Sequence, residues 1–325
     1  MHFHLDYKPT VSQQHISHQQ GILLMGSCFS EHIADKLTIR KFTVDTNPFG
    51  IVFNPKSIEI AIHRMVNKIY YREKDVFEKE GFWFCLETHT SIFDDTAQKL
   101  VAHLNSIIDD WHLKLKNASW LILTLGSAYA YKHSEQQQIV ANCHKLPSTL
   151  FEKKLLQPND LVTDYSNLIK TIKQLNPTIQ LIFTVSPVKH LRDGLIENSL
   201  SKAILLQTIH QLVNQHKHCY YFPAYELVID DLRDYRFYEP DMAHPNQQAI
   251  DYVWQKFEEV YFSMETKSIN EKLMDIHLAL NHKPFNVNSE ASIKFKTTYY
   301  KKCEALKGLY SWINLELEKN YFSTV

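Results

Sequence analysis

The 325-residue chain contains no run of about 18 apolar residues, and its first segment, MHFHLDYKPTVSQQHISHQQ, has no basic stretch leading into an apolar one. Neither a membrane-spanning helix nor a secretory leader is expected. There is no excess of charge of one sign: the formal charge is -1, with 22% charged residues. Broad attraction to nucleic acid or to an anionic membrane is therefore not expected, and the partners should be small or neutral molecules. There is no C-x-x-C pair. The five cysteines, Cys28, Cys85, Cys143, Cys219 and Cys303, are odd in number and widely spaced, which fits a reducing compartment better than a disulfide framework or a zinc finger. The 18 histidines include no H-x-x-x-H or H-E-x-x-H ligand pair on a helix. Repeats and low-complexity segments are also lacking. These absences lead to the expectation of a cytoplasmic protein without membrane anchor, metal or organic cofactor.

What is present is an alternation. With 44% hydrophobic residues, the chain is long enough to bury a substantial core. Short β-branched and aromatic runs read as strands: GILLM (21–25), KFTV (41–44), SWLILTL (119–125), IQLIFTV (179–185) and HCYYFPA (218–224). Between and after them lie segments of helical spacing at 55–70, 97–115, 160–175, 200–215 and 247–262. Continuous apolar strands separated by helices predict an α/β three-layer sandwich around a mostly parallel sheet. The alternation stops after 262, so residues 1–262 are expected to form the α/β domain and 263–325 a helical C-terminal appendage.

In such folds ligands bind beyond the carboxyl ends of the strands. At the first such end stands Gly26-Ser27-Cys28, two candidate nucleophiles at the start of a helix, whose free N–H groups favour a thiolate or an oxyanion. DMAHPNQ (241–247) places Asp241 three residues before His244, a spacing that lets the carboxylate fix the imidazole tautomer and leave the other ring nitrogen as a base. Pro245 suits the first turn of a following helix. Gly50 in NPFG and Gly126 in LGSAYAY are candidates to bring backbone N–H groups to an oxyanion, and Asn142 in VANCHKLP offers a side-chain amide. Taken singly, each of these residues has an ordinary structural explanation as a cap or turn residue.

Taken together, MGSCFSEHI, NPFGIVFNP, TLGSAYAY, ANCHKLP, TVSPVKHLRDG with NSLSKA, and DMAHPN resemble, in order over residues 20–262, the GSCFA family, itself similar to the SGNH (GDSL-like) hydrolases. The resemblance implies a flavodoxin-like sandwich with an esterase-type site. Carried over residue by residue, Asp241 orients His244, His244 is the base and Gly50 is the oxyanion glycine. The superfamily's third-block asparagine would fall at 128, where this chain has Ala128, leaving Asn142 as a replacement for the missing amide. Aligning Gly26 with the glycine of Gly-Asp-Ser puts Cys28 at the nucleophile; a slip of one residue restores Ser27. The implied activity is acyl-ester hydrolysis or acyl transfer, with an O-acylated carbohydrate as the suggested substrate class. A non-catalytic binding protein that keeps the fold and cleft is the alternative. Cys143-His144 as a second reactive pair, His89 in the cleft, and Lys189, His190 and Lys202 as binders of an anionic group are further candidates; for each the structural reading is preferred, since Cys143 and His144 as strand neighbours would face opposite sides.

Overall fold

In the computed structural model residues 7–283, 285–286 and 289–323 are described. Among them the strands run in chain order β1 (Gly21–Gly26), β2 (Thr43–Thr46), β3 (Phe77–Lys79), β4 (Phe82–Phe84), β5 (Phe93–Asp94), β6 (Trp120–Leu125), β7 (Tyr129–His133), β8 (Ile139–Val140), β9 (Phe151–Leu155), β10 (Gln180–Val185) and β11 (Cys219–Tyr221). The helices are α1 (Cys28–Ile39), α2 (Pro55–Asn67), α3 (Ala97–Asn117), α4 (Pro158–Leu175), α5 (Leu195–Gln215), the single turn α6 (Ala224–Glu226), α7 (Gln247–Tyr261), α8 (Met264–Leu280), α9 (Glu290–Leu309) and α10 (Glu316–Ser323).

The chain divides into two compact units, one built mainly from residues 21–34 and 44–256, the other from 9–20, 35–43 and 257 onward. The first is an α/β sandwich. Its five-stranded sheet has the order β11-β10-β6-β1-β2, and β1 with β6, β6 with β10, and β10 with β11 pair in parallel. Numbered by appearance, that is 2-1-3-4-5, the doubly wound order of flavodoxin-like folds. In β1, β6 and β10 every residue but the first of β1 and of β10 is buried. That explains why they read as unbroken apolar runs: helices cover both faces, so no alternation is needed. α3 lies against β1, and α5 against β10 and β11.

Local chemistry sets the helix limits. Asn54 accepts from the Ser57 N–H ahead of Pro55, and Lys68 ends α2 in a left-handed conformation; Thr96 caps α3 by accepting from Lys99. The second expected strand begins two residues late. Lys41 (φ 62°) turns the chain, and the Phe42 N–H returns to the Leu37 carbonyl, so KF closes α1 instead of opening β2. The last strand shrinks to three residues ahead of Pro223. Two small antiparallel sheets, β3-β4-β5 and β8-β7-β9, were not anticipated, because strands of two to five residues are too short to carry a period.

The second unit has its own core of Ile269, Leu273, Ile276, Cys303, Leu306, Ile313, Leu315 and Phe322. His18 is buried in this unit, stacked on Phe42 with ring centroids 4.0 Å apart and with Nε2 2.9 Å from Asn270 Oδ1. Burial lowers its pKa to about 4, against the opposing hydrogen bonds. The unfolded chain would therefore protonate His18 near its ordinary value of 6.5 while the fold keeps it neutral, and stability should fall as pH drops from about 6.5 to about 4. Thermal melts across that range should show a loss that His18→Phe reduces. An unchanged pH slope in the variant would contradict this account.

Candidate active site

The site grows from the end of β1. Gly26 has φ 141°, and a Cβ placed on it would lie 2.1 Å from the Thr124 carbonyl oxygen of β6, so only glycine lets the two strands meet there. The Gly26 N–H donates to Asn47 Oδ1 (2.9 Å) and the Ser27 N–H to Thr124 O (3.1 Å). The chain then enters α1 directly. Ser27 is 3% exposed, and its hydroxyl accepts from the Phe29 N–H at 3.3 Å, the work of an N-cap. Cys28, the first helical residue, is half-buried with a free thiol.

The electrostatics at Cys28 oppose one another. Burial, then the Glu31 carboxylate, push its pKa up, while the backbone N–H groups of Phe29 and Cys28 and the Lys202 ammonium pull it down. The upward influences win, so at neutral pH the residue is a thiol awaiting a base.

Asp241 and His244 meet as the D-x-x-H spacing anticipates, with Nδ1 2.6 Å from Oδ2. The other carboxylate oxygen accepts from the Ala243 and His244 N–H groups at 2.9 and 3.0 Å. Those backbone bonds, then the imidazole, hold the Asp241 carboxyl down to about 2. With Nδ1–H directed at the carboxylate, Nε2 is the nitrogen left to accept a proton. Pro245 does not start the helix. It pairs with Tyr238 in an isolated bridge, and Asn246 caps α7 by accepting from Ala249, because the loop is held by backbone pairing on both sides of His244: Glu239 N–H to His244 O (2.8 Å) and Lys189 N–H to Ala243 O (3.0 Å).

The expected oxyanion donors fare differently. The Gly50 N–H closes a turn onto Asn47 O (2.9 Å), and the Gly126 N–H donates to Phe53 O (2.7 Å), so both amides are engaged. Ala128 N–H goes to Ser201 Oγ. Asn142 Oδ1 accepts from the His144 N–H, and no hydrogen bond joins Asn142 to Cys28 or His244 among the described residues. The first-turn N–H of Cys28 has no carbonyl acceptor among the described residues, as helix geometry allows. His89 packs beside the NPFG turn, its N–H on Phe49 O (2.9 Å) and Nδ1 2.9 Å from Ser91 Oγ. Cys143 and His144 follow β8 in a turn with His144 at φ 47°, not on a strand. The His144 ring is buried beside Phe77 and Phe84, with Nε2 on Cys85 O, and no hydrogen bond joins it to Cys143 among the described residues.

Two residues set aside as structural in the sequence sit at the centre of this edge. Lys202 is 1% exposed, and its ammonium donates to Gly126 O (2.6 Å) and Ser186 O (2.8 Å) at the ends of β6 and β10. Burial drives its pKa down to about 7, and Cys28 is the ionisable group that pulls it back up. His190 lies against Phe53 (4.7 Å between centroids). Its Nε2 is buried without a hydrogen-bond partner and lies 3.1 Å from where a Cβ on Gly126 would be. Burial, then the Lys202 charge, lower its pKa to about 3, with His244 adding to the effect. Cys28, Gly126, His190, Lys202 and His244 are thereby linked by contact or by charge. In the sequence Lys202 is a lysine of an ordinary helix and a candidate binder of an anionic group; its contact with the ends of β6 and β10 follows only from convergence in space. Among the described residues no group of three or more His, Cys, Asp or Glu side chains is placed to hold a metal ion, and no helix is long and apolar enough to cross a membrane.

A family model, the GSCFA family, matches residues 21–257, and a second, the GSCFA domain protein C-terminal domain, matches 273–324. The chain belongs to the GSCFA family. No curated protein matches it. Among solved structures it is similar to a Bacteroides fragilis protein provisionally named an acylhydrolase (9% identity, 82% of this chain and 91% of that one, TM-score 0.39). It is also similar to the family 3 carbohydrate esterase of Clostridium thermocellum (12%, 81% and 99%, TM-score 0.35) and to that of Talaromyces cellulolyticus (9%, 79% and 99%, TM-score 0.35).

Lys202 makes the site sensitive to alkali in a defined direction. Between about 7 and its ordinary 10.5 the unfolded chain binds a proton on this lysine that the fold does not, so stability rises with pH over that window. Lys202→Met should remove that part of the rise, read as the difference between the two melting-temperature profiles. It should also move the pH profile of Cys28 alkylation by iodoacetamide to higher pH. Coincident profiles for wild type and variant would separate Lys202 from Cys28.

Proposed function

We propose that this protein is an acyl-ester hydrolase or acyltransferase in which Cys28 attacks the ester carbonyl, His244 takes the thiol proton and Asp241 orients His244. The observation that carries the reading is the Asp241–His244 pair. A carboxylate fixed by two backbone N–H groups directs Nδ1 and leaves Nε2 to act as base, the division of labour that acyl transfer requires. Because Cys28 is held as a thiol, its proton leaves during attack instead of from a standing ion pair. The tetrahedral intermediate would take its first hydrogen bond from the Cys28 N–H at the start of α1. It collapses when His244 returns the proton to the departing alcohol, leaving a thioester that water, or a second alcohol in the transfer version, resolves.

Cys28 is favoured over Ser27 because the serine hydroxyl is buried and engaged as the helix cap. The similar carbohydrate esterases are consistent with an O-acylated sugar as substrate, and no step calls for a metal or organic cofactor. The rival reading, a binding protein with a closed-down catalytic edge, draws on the engagement of both glycine amides.

Hydrolysis of short-chain aryl esters and acetylated sugars separates the two. Cys28→Ala and His244→Ala should each lower kcat/KM by about 10²- to 10⁴-fold, and Asp241→Asn should lower kcat by disturbing the tautomer. Ser27→Ala should retain turnover and lose about 0.5–2 kcal/mol of stability, as expected for a lost cap. Turnover indifferent to His244→Ala would sink the catalytic reading.

A further inference from the structure

A cavity of about 240 Å³ opens beside the candidate active site, walled by Tyr225, Tyr235, Tyr238, Val228 and Ile229, with Lys189, Arg233 and Asn198 also reaching it. It is joined to the site through the backbone: the Lys189 N–H holds the Ala243 carbonyl next to His244, and the N–H of His190 donates to Asn198 Oδ1 at 2.9 Å. A volume of roughly 150 Å³ accommodates benzene in a protein interior, so this cavity has room for one substituted six-membered ring. Its charge is unbalanced. The Lys189 ammonium lies 3.7 Å from the ring centre of Tyr238 and 4.6 Å from that of Tyr235. Among the described residues neither that ammonium nor the Arg233 guanidinium meets a carboxylate or a hydrogen-bond acceptor. The acid in the wall, Asp234, is already bound by the Arg236 guanidinium and N–H, both at 2.8 Å.

We propose that this cavity recognises a carboxylate carried on a ring, a sugar acid or an aromatic acid, with Lys189 and Arg233 taking the carboxylate and the tyrosines walling the ring. A half-buried ammonium kept only by aromatic faces is under-compensated, and burial lowers its pKa; an anion restores the missing partner. Arg233 supplies the planar fork that matches a carboxylate. As a substrate subsite the cavity rests on the acyl-transfer reading above, since its link to the site is the Lys189 N–H bonded to the carbonyl of Ala243, one residue before His244; as an anion site it stands without it.

Isothermal titration of the full chain with glucuronate and with benzoate, against glucose and benzyl alcohol, tests the proposal without any turnover. At least one acid should bind about tenfold tighter than its neutral counterpart, and the better of the two names the ring. Lys189→Met and Arg233→Gln should each erase the preference while their melting temperatures stay near wild type. Should Lys189→Met fail to fold, Arg233→Gln, an exposed position, carries the test alone. Equal binding of acids and neutral compounds, no binding of either acid, or a preference that survives both substitutions would overturn it. Loss of ester turnover in His244→Ala alongside any of those results would leave the acyl-transfer reading standing and remove only the anion site; the converse pattern would do the reverse.

Discussion

The close approach of β1 and β6 at Gly26 is the constraint on which the rest of this edge depends. A side chain there would collide with the Thr124 carbonyl, and the strands would have to part. Because they do not, the Ser27 N–H reaches Thr124 O, the serine side chain can cap α1 and Cys28 becomes the first residue of the helix. The sheet order contributes the rest: β6 and β10 end at the same level, and Gly126 and Ser186 present their carbonyls to one buried ammonium.

That ammonium gives the site its electrostatic character. Among the described residues Lys202 donates to two carbonyls and meets no carboxylate, and carbonyl dipoles hold a charge less well than a carboxylate would. The consequences spread to its neighbours: Lys202 draws the Cys28 thiol downward against burial and Glu31, and adds to the burial that keeps His190 neutral. Asp241 is exposed yet firmly ionised, because the His244 and Ala243 N–H groups, and then the His244 ring, hydrogen-bond to its carboxylate. A single edge of the sheet thus combines a neutral thiol, a neutral imidazole, a fixed carboxylate and a cation that is easily discharged.

The long elements were legible in the sequence because burial on both faces writes unbroken apolar runs into β1, β6 and β10, and helical spacing marks the segments between them. The short sheets were not, for strands such as Ile139–Val140 carry no periodicity. The D-x-x-H pairing was legible because its partners are three residues apart and meet within one loop. The engagement of the Gly50 and Gly126 amides was not, because Phe53, the acceptor for Gly126, is supplied by a distant segment and the turn that engages Gly50 depends on Asn47 at φ 44°.

By itself, the sequence determined the α/β alternation, the family motifs and the local chemistry of GSCFSEH and DMAHPN, all of which depend on residues near one another along the chain. Only the tertiary structure decided which of the two neighbouring nucleophile candidates is engaged as a cap, that Lys202 shares an electrostatic environment with Cys28, and that Lys189 and Arg233 line one tyrosine-walled cavity. The physical reason is that burial and charge act through space, and groups tens of residues apart acquire their protonation states and partners only where the folded chain brings them together.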